Sequence, residues 1–219
     1  MSDKVYGIDL GTTYSAVALI NEVGLPEIVK NFVGDDTTPS VVYFNDDGSV
    51  DVGKSAKQTQ IGDPENACSL IKRHIGEEYP LEFRGQSHTP ESISSLILKE
   101  LVNNANSQNG LAITKAVITV PAYFGIQERQ ATKQAGEIAG LDVVGIIPEP
   151  VAAAIALGAR QEAKQTMLVF DLGGGTFDTT ILTAQTGRVD VVAIDGNRLL
   201  GGADWDKRLE DLFLEKFLT

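Results

Sequence analysis

Short apolar runs bounded by turn-forming residues recur along the chain and predict β-strands. The first two runs are almost continuously apolar, which is typical of strands in the middle of a covered sheet. The predicted strands span residues 5–10, 15–20, 40–44, 116–120, 143–147, 167–170, 179–182 and 189–194.

Segments with helical spacing lie between these runs. After Pro90, apolar residues recur three and four positions apart, and Thr89 is placed to cap the helix. Two further helices are predicted at residues 126–139, where alanines form a small face, and from Pro150 onward. Because strands and helices alternate, the chain is predicted to have an α/β architecture.

A last helix is predicted at residues 205–217, with Trp205, Leu209, Leu212 and Phe213 along one face. Large apolar side chains of this kind must be covered by something. The sequence stops at Thr219 without a capping glycine or a polar tail. We therefore expect a chain cut inside a larger protein, or one that ends on a helix in need of a partner.

Composition and charge exclude several classes of protein. The chain has 219 residues, of which 42% are apolar and 22% charged, so we expect a buried core rather than disorder. The apolar runs are too short to span a membrane, and no secretion signal is visible. A net charge of -12 makes nucleic acid and anionic lipid poor partners. The single cysteine, Cys68, cannot form an intrachain disulfide, which fits a cytoplasmic protein.

Two turns rich in glycine and threonine each connect one apolar strand to the next. Their sequences are Asp9-Leu10-Gly11-Thr12-Thr13 and Asp171-Leu172-Gly173-Gly174-Gly175-Thr176. Glycine lets the backbone approach a ligand, and successive N–H groups form an anion site. Asp9 and Asp171 would serve such a site through a hydrated Mg²⁺ ion, which takes one or two carboxylates. One such turn alone is better explained as an ordinary hairpin, but the pair predicts a duplicated core with a nucleotide phosphate clamp.

Residues 48–55 match the phosphate-loop pattern G-x-x-x-x-G-K-[ST] letter for letter. Val50 and Val52 alternate with polar residues as in a strand, however, and Asp51 would place a negative charge inside the phosphate cradle. We interpret the segment as a hairpin that leads into a helix beginning at Gly53. A Rossmann site is not supported, since no G-x-G-x-x-G opens a helix after a strand.

Longer motifs around the two turns resemble those of the heat shock protein 70 (DnaK-type) chaperones. They are Tyr6-Gly7-Ile8-Asp9-Leu10-Gly11-Thr12-Thr13-Tyr14-Ser15 and Val169-Phe170-Asp171-Leu172-Gly173-Gly174-Gly175-Thr176-Phe177-Asp178. Three segments between them also resemble the family: Ile118-Thr119-Val120-Pro121-Ala122-Tyr123-Phe124, Gln130-Ala131-Thr132-Lys133 and Glu149-Pro150-Val151-Ala152-Ala153-Ala154-Ile155-Ala156. The resemblance runs the whole length of the chain in the family's order.

The resemblance implies an actin-like ATPase (ribonuclease H-like) fold, with a mixed β-sheet and flanking helices, that comprises lobe I and the start of lobe II. Residues 1–39 and 91–164 would form the core subdomain of lobe I. Residues 40–90 would form an inserted peripheral subdomain, and residues 165–219 would begin lobe II.

The resemblance also implies roles for individual residues. The expected cofactor-binding residues are Gly11, Thr12, Thr13, Tyr14, Gly173, Gly174, Gly175, Thr176, Gly201 and Gly202. The expected catalytic residues are Lys72, Glu149, Asp171 and Thr176. The expected metal-site residues are Asp9, Asp171 and Asp178. Pro121 and Arg129 match a relay that reports the nucleotide state to a peptide-binding domain.

By the same resemblance, the cofactors would be ATP or ADP with Mg²⁺, and K⁺ as a further candidate. The protein would be an ATP-hydrolysing chaperone in protein folding and the stress response. Its clients would be unfolded polypeptides held by a C-terminal domain, and its partners J-domain and nucleotide-exchange co-chaperones. Because the family's adenine-clamping residues lie beyond Thr219, we expect residues 1–219 alone to bind ATP weakly and to hydrolyse little. An actin-like filament-forming ATPase and a small-molecule kinase of the same superfamily are the alternatives.

The chain departs from the family pattern at several positions. Asn197-Arg198-Leu199 stands where Asp-Thr-His is usual, so phosphate contacts by this segment are in doubt. Asp36 stands where a basic residue is common, Pro148 replaces the usual Asn, and residues 76–89 form a shorter segment. These differences indicate a divergent homologue.

Overall fold

The computed structural model describes residues 4–157, 164–185 and 188–218. The strands are β1 (Val5–Asp9), β2 (Tyr14–Ile20), β3 (Pro26–Val29), β4 (Thr38–Pro39), β5 (Val42–Phe44), β6 (Val50–Val52), β7 (Ala67–Cys68), β8 (Leu81–Phe83), β9 (Gln86–His88), β10 (Lys115–Val120), β11 (Asp142–Pro148), β12 (Gln165–Leu172), β13 (Phe177–Gln185) and β14 (Arg188–Asn197). The helices are α1 (Lys54–Thr59), α2 (Pro90–Asn109), α3 (Ile126–Ile138), α4 (Glu149–Ala156) and α5 (Gly202–Leu218), with 3₁₀ helices at Pro64–Asn66 and Ile71–His74. The α/β architecture predicted from the sequence is confirmed.

A mixed sheet of six strands, the central sheet, forms the middle of the first described range. Its strand order is β11-β10-β1-β2-β3, and β4 also pairs with β2. Strands β1, β10 and β11 pair in parallel, and the remaining pairs are antiparallel. Helix α3 makes the crossover that the parallel pair β10 and β11 requires. Tyr6, Ile8 and Ile118 on these strands share a buried core with Ile97 of α2.

Helix α2 begins where the sequence predicted. The side-chain oxygen of Thr89 accepts a hydrogen bond from the Ser92 backbone N–H at 3.2 Å, and the Ser92 hydroxyl accepts one from the Thr89 N–H at 2.9 Å. This capping box satisfies two backbone donors that the first helical turn would otherwise leave unpaired. Pro90 occupies the first turn, where its missing N–H costs nothing. The predicted cap is confirmed.

A second sheet repeats part of the central sheet. Strands β12, β13 and β14 form an antiparallel meander, as β1, β2 and β3 do. Asp9 is the last residue of β1, and Asp171 is the penultimate residue of β12. In both meanders a glycine-rich turn then leads into the next antiparallel strand. The predicted duplication is therefore present as two equivalent hairpins.

The segment that matches the phosphate-loop pattern lies in a small peripheral sheet of order β6-β5-β7. Gly48, with φ 83°, turns the hairpin between β5 and β6. Gly53, with φ 87°, precedes α1 as its N-cap residue. A hairpin followed by a helix is thus confirmed, and this segment is not the strand–loop–helix unit of a phosphate loop.

Several short elements escaped sequence analysis. Strands β3, β8 and β9 have only three or four residues and are largely exposed, so apolar periodicity does not mark them. Helix α5 begins at Gly202, earlier than predicted. Residues 158–163, just before the predicted boundary at 164 and 165, lie outside the described ranges, as does Thr219.

Helix α5 carries its apolar side chains in exposed positions. Trp205, Leu209, Leu212 and Phe213, which the sequence placed on one face, are each between 45% and 69% exposed. Within the described ranges, none of the helices combines the length and the apolarity needed to cross a bilayer.

Helix α3 lies close to the central sheet because its inner face is small. Ala131, Ala135 and Gly136 are buried there. A Cβ added at Gly136 would lie 2.4 Å from Cγ2 of Val143 in β11 and 3.0 Å from Cδ1 of Ile118 in β10. Because Val143 is β-branched and stiff, it has little freedom to move aside.

We expect Gly136→Ala to lower the free energy of unfolding by about 1–2 kcal/mol, because the clash with Val143 outweighs the better helix propensity of alanine. Urea denaturation measures the change. The exposed neighbour Gln134 gives a matched control, and Gln134→Ala should alter stability by less than ~0.5 kcal/mol. Equal stability of the two variants would show that α3 can withdraw from the sheet without cost.

Candidate functional site

The two glycine-rich turns face each other across a cleft of about 520 Å³. Helix α4 and the 3₁₀ helix Ile71–His74 supply further parts of its wall. The predicted site residues that line it are Asp9, Gly11, Thr12, Thr13, Tyr14, Lys72, Glu149, Asp171, Gly173, Gly174 and Thr176. Segments that are distant in sequence therefore meet in one place.

The two turns also touch each other directly. A Cβ at Gly174 would lie 2.3 Å from Cγ2 of Thr13, and one at Gly175 would lie 2.2 Å from Cγ2 of Thr12. A larger residue at either glycine would force the turns apart. The threonines of the first turn thus pack on the glycines of the second.

Hydrogen bonds with Ser15 of β2 and with Ser40, which lies between β4 and β5, hold the first turn. The Gly11 N–H donates to Oγ of Ser15 at 3.1 Å, and the Ser40 hydroxyl donates to the Gly11 carbonyl at 2.8 Å. Tyr14 follows the turn, with Lys57 Nζ 4.7 Å from its ring centroid and 2.6 Å from its hydroxyl oxygen. The aromatic side chain at the rim of the cleft is therefore already engaged by a cation.

Lys72 and Glu149 form a buried ion pair in the cleft. Their charged atoms are 2.5 Å apart, and the two side chains are only 5% and 17% exposed. Lys72 comes from the 3₁₀ helix, and Glu149 is the first residue of α4. Burial raises the pKa of Glu149, Lys72 opposes that rise, and the nearby carboxylates of Asp9 and Asp171 add to it.

Two more carboxyl groups come from the second hairpin. Burial raises the pKa of Asp171, and the charge of Asp9 raises it further. Burial also raises the pKa of Asp178 to about 7, with contributions from Glu149 and Asp171. One side-chain oxygen of Asp178 has no hydrogen-bond partner among the described residues.

The carboxylates fit a hydrated cation better than a cage made by protein alone. Within the described ranges, no group of three or more His, Cys, Asp or Glu side chains is arranged to hold a metal. Mg²⁺ usually keeps several waters and takes one or two carboxylates. Asp9 and Asp171, which repel each other across the cleft, provide such a setting, whereas Asp178 is buried and does not line the cleft. The assignment of these three residues to a metal stays a prediction.

Gly201 and Gly202 lie behind the second turn. The Gly202 N–H donates to the Gly173 carbonyl at 3.1 Å. A Cβ at Gly201 would lie 2.5 Å from the carbonyl carbon of Gly174, so Gly201 packs directly on the turn. Both glycines support the turn from outside the cleft lining, and their contact with a cofactor stays a prediction.

The two predicted relay residues lie on either side of Phe124. Pro121 follows β10 and is buried, and Nε of Arg129 in α3 donates to the Phe124 carbonyl at 2.8 Å. Burial raises the pKa of Tyr123, and the charge of Asp178 raises it further, so this segment lies close to the carboxylates of the site.

Sequence analysis missed four residues of this region: Thr119, Tyr123, Arg73 and Asp204. The Thr119 hydroxyl donates to a carboxylate oxygen of Asp9 at 2.9 Å, directly across the parallel pairing of β10 with β1. Thr119 and Tyr123 both lie inside the family-like motif of residues 118–124, and Arg73 adjoins Lys72, so the sequence held a signal for all three. Asp204 had no such signal.

We expect Asp178→Asn to become increasingly stabilising, relative to the native protein, as pH rises from about 4 to 7. An unfolded aspartic acid titrates near ~3.9, whereas the folded group titrates at about 7. Between these values only the folded state keeps the proton, so the native protein loses stability as pH rises. Urea denaturation at a series of pH values measures the difference. A difference that stays constant from pH 4.5 to 8 would show that Asp178 is ionised throughout.

The motifs, the fold and the cleft agree with a comparison against protein families. A family model described as Hsp70 protein matches residues 5–82 and 80–219. The match thus includes both hairpins, the peripheral sheet and the segment with Lys72. The chain belongs to the Hsp70 protein family, whose members are chaperone-type ATPases with the actin-like ATPase fold that bind ATP or ADP with Mg²⁺.

Proposed function

We propose that this cleft binds the phosphates of ATP·Mg²⁺ and hydrolyses the γ-phosphate, in a chaperone whose nucleotide cycle controls the binding and release of unfolded polypeptides. The observation that carries the proposal is the pair of opposed glycine turns, each with its own aspartate, in one cleft with Lys72 and Glu149. Family membership alone would indicate the class of protein, but it would not identify the residues that form the site.

Phosphate oxygens would be held by the two turns. Glycine turns present backbone N–H groups to an anion, and the hydroxyls of Thr12, Thr13 and Thr176 add side-chain donors. These neutral donors surround a region of high negative charge. Bound Mg²⁺ would supply the positive charge that lets phosphates and carboxylates share the cleft, and Asp9 and Asp171 are the residues that would hold its water shell.

Lys72 would stabilise the charge that develops on the transferred phosphoryl group. Phosphoryl transfer needs positioning and cationic compensation more than covalent help. The ion pair with Glu149 holds the ammonium group of Lys72 in a fixed position. Glu149, Asp171 and Thr176 would orient the attacking water and the water shell of the metal around it.

The remaining assignments are proposals that follow from the family. Pro121 and Arg129 would relay the nucleotide state from the cleft to a peptide-binding domain. Unfolded polypeptides, J-domain proteins and nucleotide-exchange factors would be the partners, K⁺ a further cofactor, and the cytoplasm the location. Lobe I would comprise residues 1–39 and 91–164 around the inserted residues 40–90, and lobe II would begin at residue 165.

We expect Lys72→Ala to reduce ATP turnover by about 10²–10³-fold, because a preorganised charge is lost from the transition state. Lys54, which the phosphate-loop pattern would make essential, is 59% exposed and lies 3.6 Å from Asp35. Lys54→Ala should keep near-normal turnover. Steady-state hydrolysis by the full-length protein measures both rates.

Circular dichroism of both variants controls for folding, since Lys72→Ala leaves Glu149 buried without its cation. If turnover survives Lys72→Ala and is lost with Lys54→Ala, the protein uses the phosphate-loop segment and the proposed site is wrong.

We also expect residues 1–219 on their own to bind ATP weakly, with a Kd above the micromolar range. The described lining of the cleft offers contacts to phosphates and a metal, whereas Tyr14 is already held by Lys57. Stacking on a base contributes about 1–3 kcal/mol in nucleic-acid sites, and adenine would lack that contribution here. Titration calorimetry with ATP and Mg²⁺ makes the measurement, and a Kd in the micromolar range or tighter would contradict the expectation.

A further inference from the structure

Arg73 joins the first part of the chain to the second hairpin. It lies in the 3₁₀ helix Ile71–His74, directly after Lys72, and its side chain is 11% exposed. Nε donates to the Gly175 carbonyl at 2.8 Å. The two terminal nitrogens form a fork on Asp204 of α5, with distances of 3.3 and 2.5 Å. One buried guanidinium thus binds the second turn and the helix behind it.

The ion pair with Asp204 neutralises the positive charge of Arg73. The hydrogen bond from Arg73 holds the pKa of Asp204 below its usual value. Asp204 also accepts a hydrogen bond from the Gly201 N–H at 2.8 Å, and it lies in the first turn of α5, where a negative charge is favoured. Because Asp204 neutralises the guanidinium charge, Arg73 acts on the second turn as a hydrogen-bond donor of fixed direction rather than as an unpaired positive charge.

All three glycine carbonyls of the second turn have donors. Two of the donors are backbone N–H groups at the beginning of α5, and the third is Arg73. The hydrogen bonds are Gly202 N–H to the Gly173 carbonyl at 3.1 Å, Ala203 N–H to the Gly174 carbonyl at 2.9 Å, and Arg73 Nε to the Gly175 carbonyl at 2.8 Å.

This pattern determines the direction of the amides in the turn. In a trans peptide unit the C=O and the following N–H point to opposite sides. The amides of Gly174, Gly175 and Thr176 therefore point away from the donors that hold the preceding carbonyls. Glycine peptides can flip at little cost, so the last of these units depends on Arg73 for its orientation.

We propose that Arg73 is a positioning residue that orients the Gly175–Thr176 peptide, and with it the second turn, for phosphate binding. This inference rests on the proposed function, because it concerns how the same cleft is organised. Lys72 and Arg73 contact different partners. Successive residues of a 3₁₀ helix point about 120° apart, so one side chain reaches Glu149 in the cleft while the next reaches the back of the turn.

The test compares Arg73→Lys with a matched arginine elsewhere in the full-length protein. A single ammonium group cannot reproduce the fork and the separate Nε contact. We expect Arg73→Lys to weaken ATP·Mg²⁺ binding about 10- to 100-fold, the effect of losing a buried charged hydrogen bond. Arg84 likewise donates from Nε to a backbone carbonyl, that of Phe44 at 3.3 Å, and its two terminal nitrogens pair with carboxylates, here of two separate aspartates, Asp46 and Asp63. Because it lies in the β8–β9 hairpin, Arg84→Lys should leave ATP affinity within about twofold.

A second readout does not require nucleotide. Gly202 and Ala203 donate to the turn, so their amides should be protected from hydrogen exchange in the nucleotide-free protein. We expect Arg73→Lys to reduce that protection and Arg84→Lys to leave it unchanged. A merely destabilising substitution would raise exchange throughout the protein instead of at these amides. If Arg73→Lys fails to fold, Asp204→Asn carries the same two measurements.

The outcomes separate this inference from the function on which it rests. If the native full-length protein binds no ATP·Mg²⁺, the proposed function fails. If it does bind, but Arg73→Lys leaves either the affinity or the protection of Gly202 and Ala203 as in the native protein, Arg73 does not position the turn. Loss of both, with neither lost in Arg84→Lys, supports the inference.

Discussion

The crowding of carboxylates in one cleft is the constraint on which this site depends. Asp9 and Asp171 come from opposite turns, and Glu149 and Asp178 lie close enough to influence them. Lys72 offsets only part of this charge. Because bringing the two hairpins together brings their aspartates together, repulsion between the two carboxylates disfavours this arrangement unless a cation offsets it. The packing of the two turns and the binding of a cation are therefore linked by electrostatics.

The duplicated hairpin explains why the site can also accept an anion. Each hairpin contributes one acidic residue and one turn whose backbone N–H groups are suited to donate to an anion. The close contact of Gly174 and Gly175 with the threonines of the first turn leaves no room for side chains between the turns. On the side of the turns, a ligand in the cleft meets backbone and short hydroxyls, which suits a polyphosphate carried with its metal.

The sequence predicted the parts of the site that local pattern can mark. Apolar runs flanking Asp9 and Asp171 identified the two hairpins, and the spacing of valines around Asp51 correctly dismissed the phosphate-loop pattern. It did not reveal the contact between Arg73 and Asp204, which are separated by 131 positions and lie in elements without a shared motif. The sequence also did not show that Gly201 packs behind the second turn, because this contact depends on where the start of α5 lies relative to the turn. Contacts between residues that are far apart in sequence depend on how helices and strands pack against one another. The spacing of apolar residues along the chain carries no information about that packing.

Lys72 and Arg73 are adjacent in sequence, yet their side chains have different chemical roles. Lys72 presents one compact charge to Glu149 inside the cleft, and such a charge can compensate a phosphate without a demanding geometry. Arg73 uses a planar fork on Asp204 and a separate donor on the Gly175 carbonyl, a geometry that only a guanidinium satisfies. An exchange of the two residue types would keep the net charge and the composition, yet it would disturb both contacts. The order Lys-Arg thus matches the two contacts, since the successive side chains of the 3₁₀ helix face different partners.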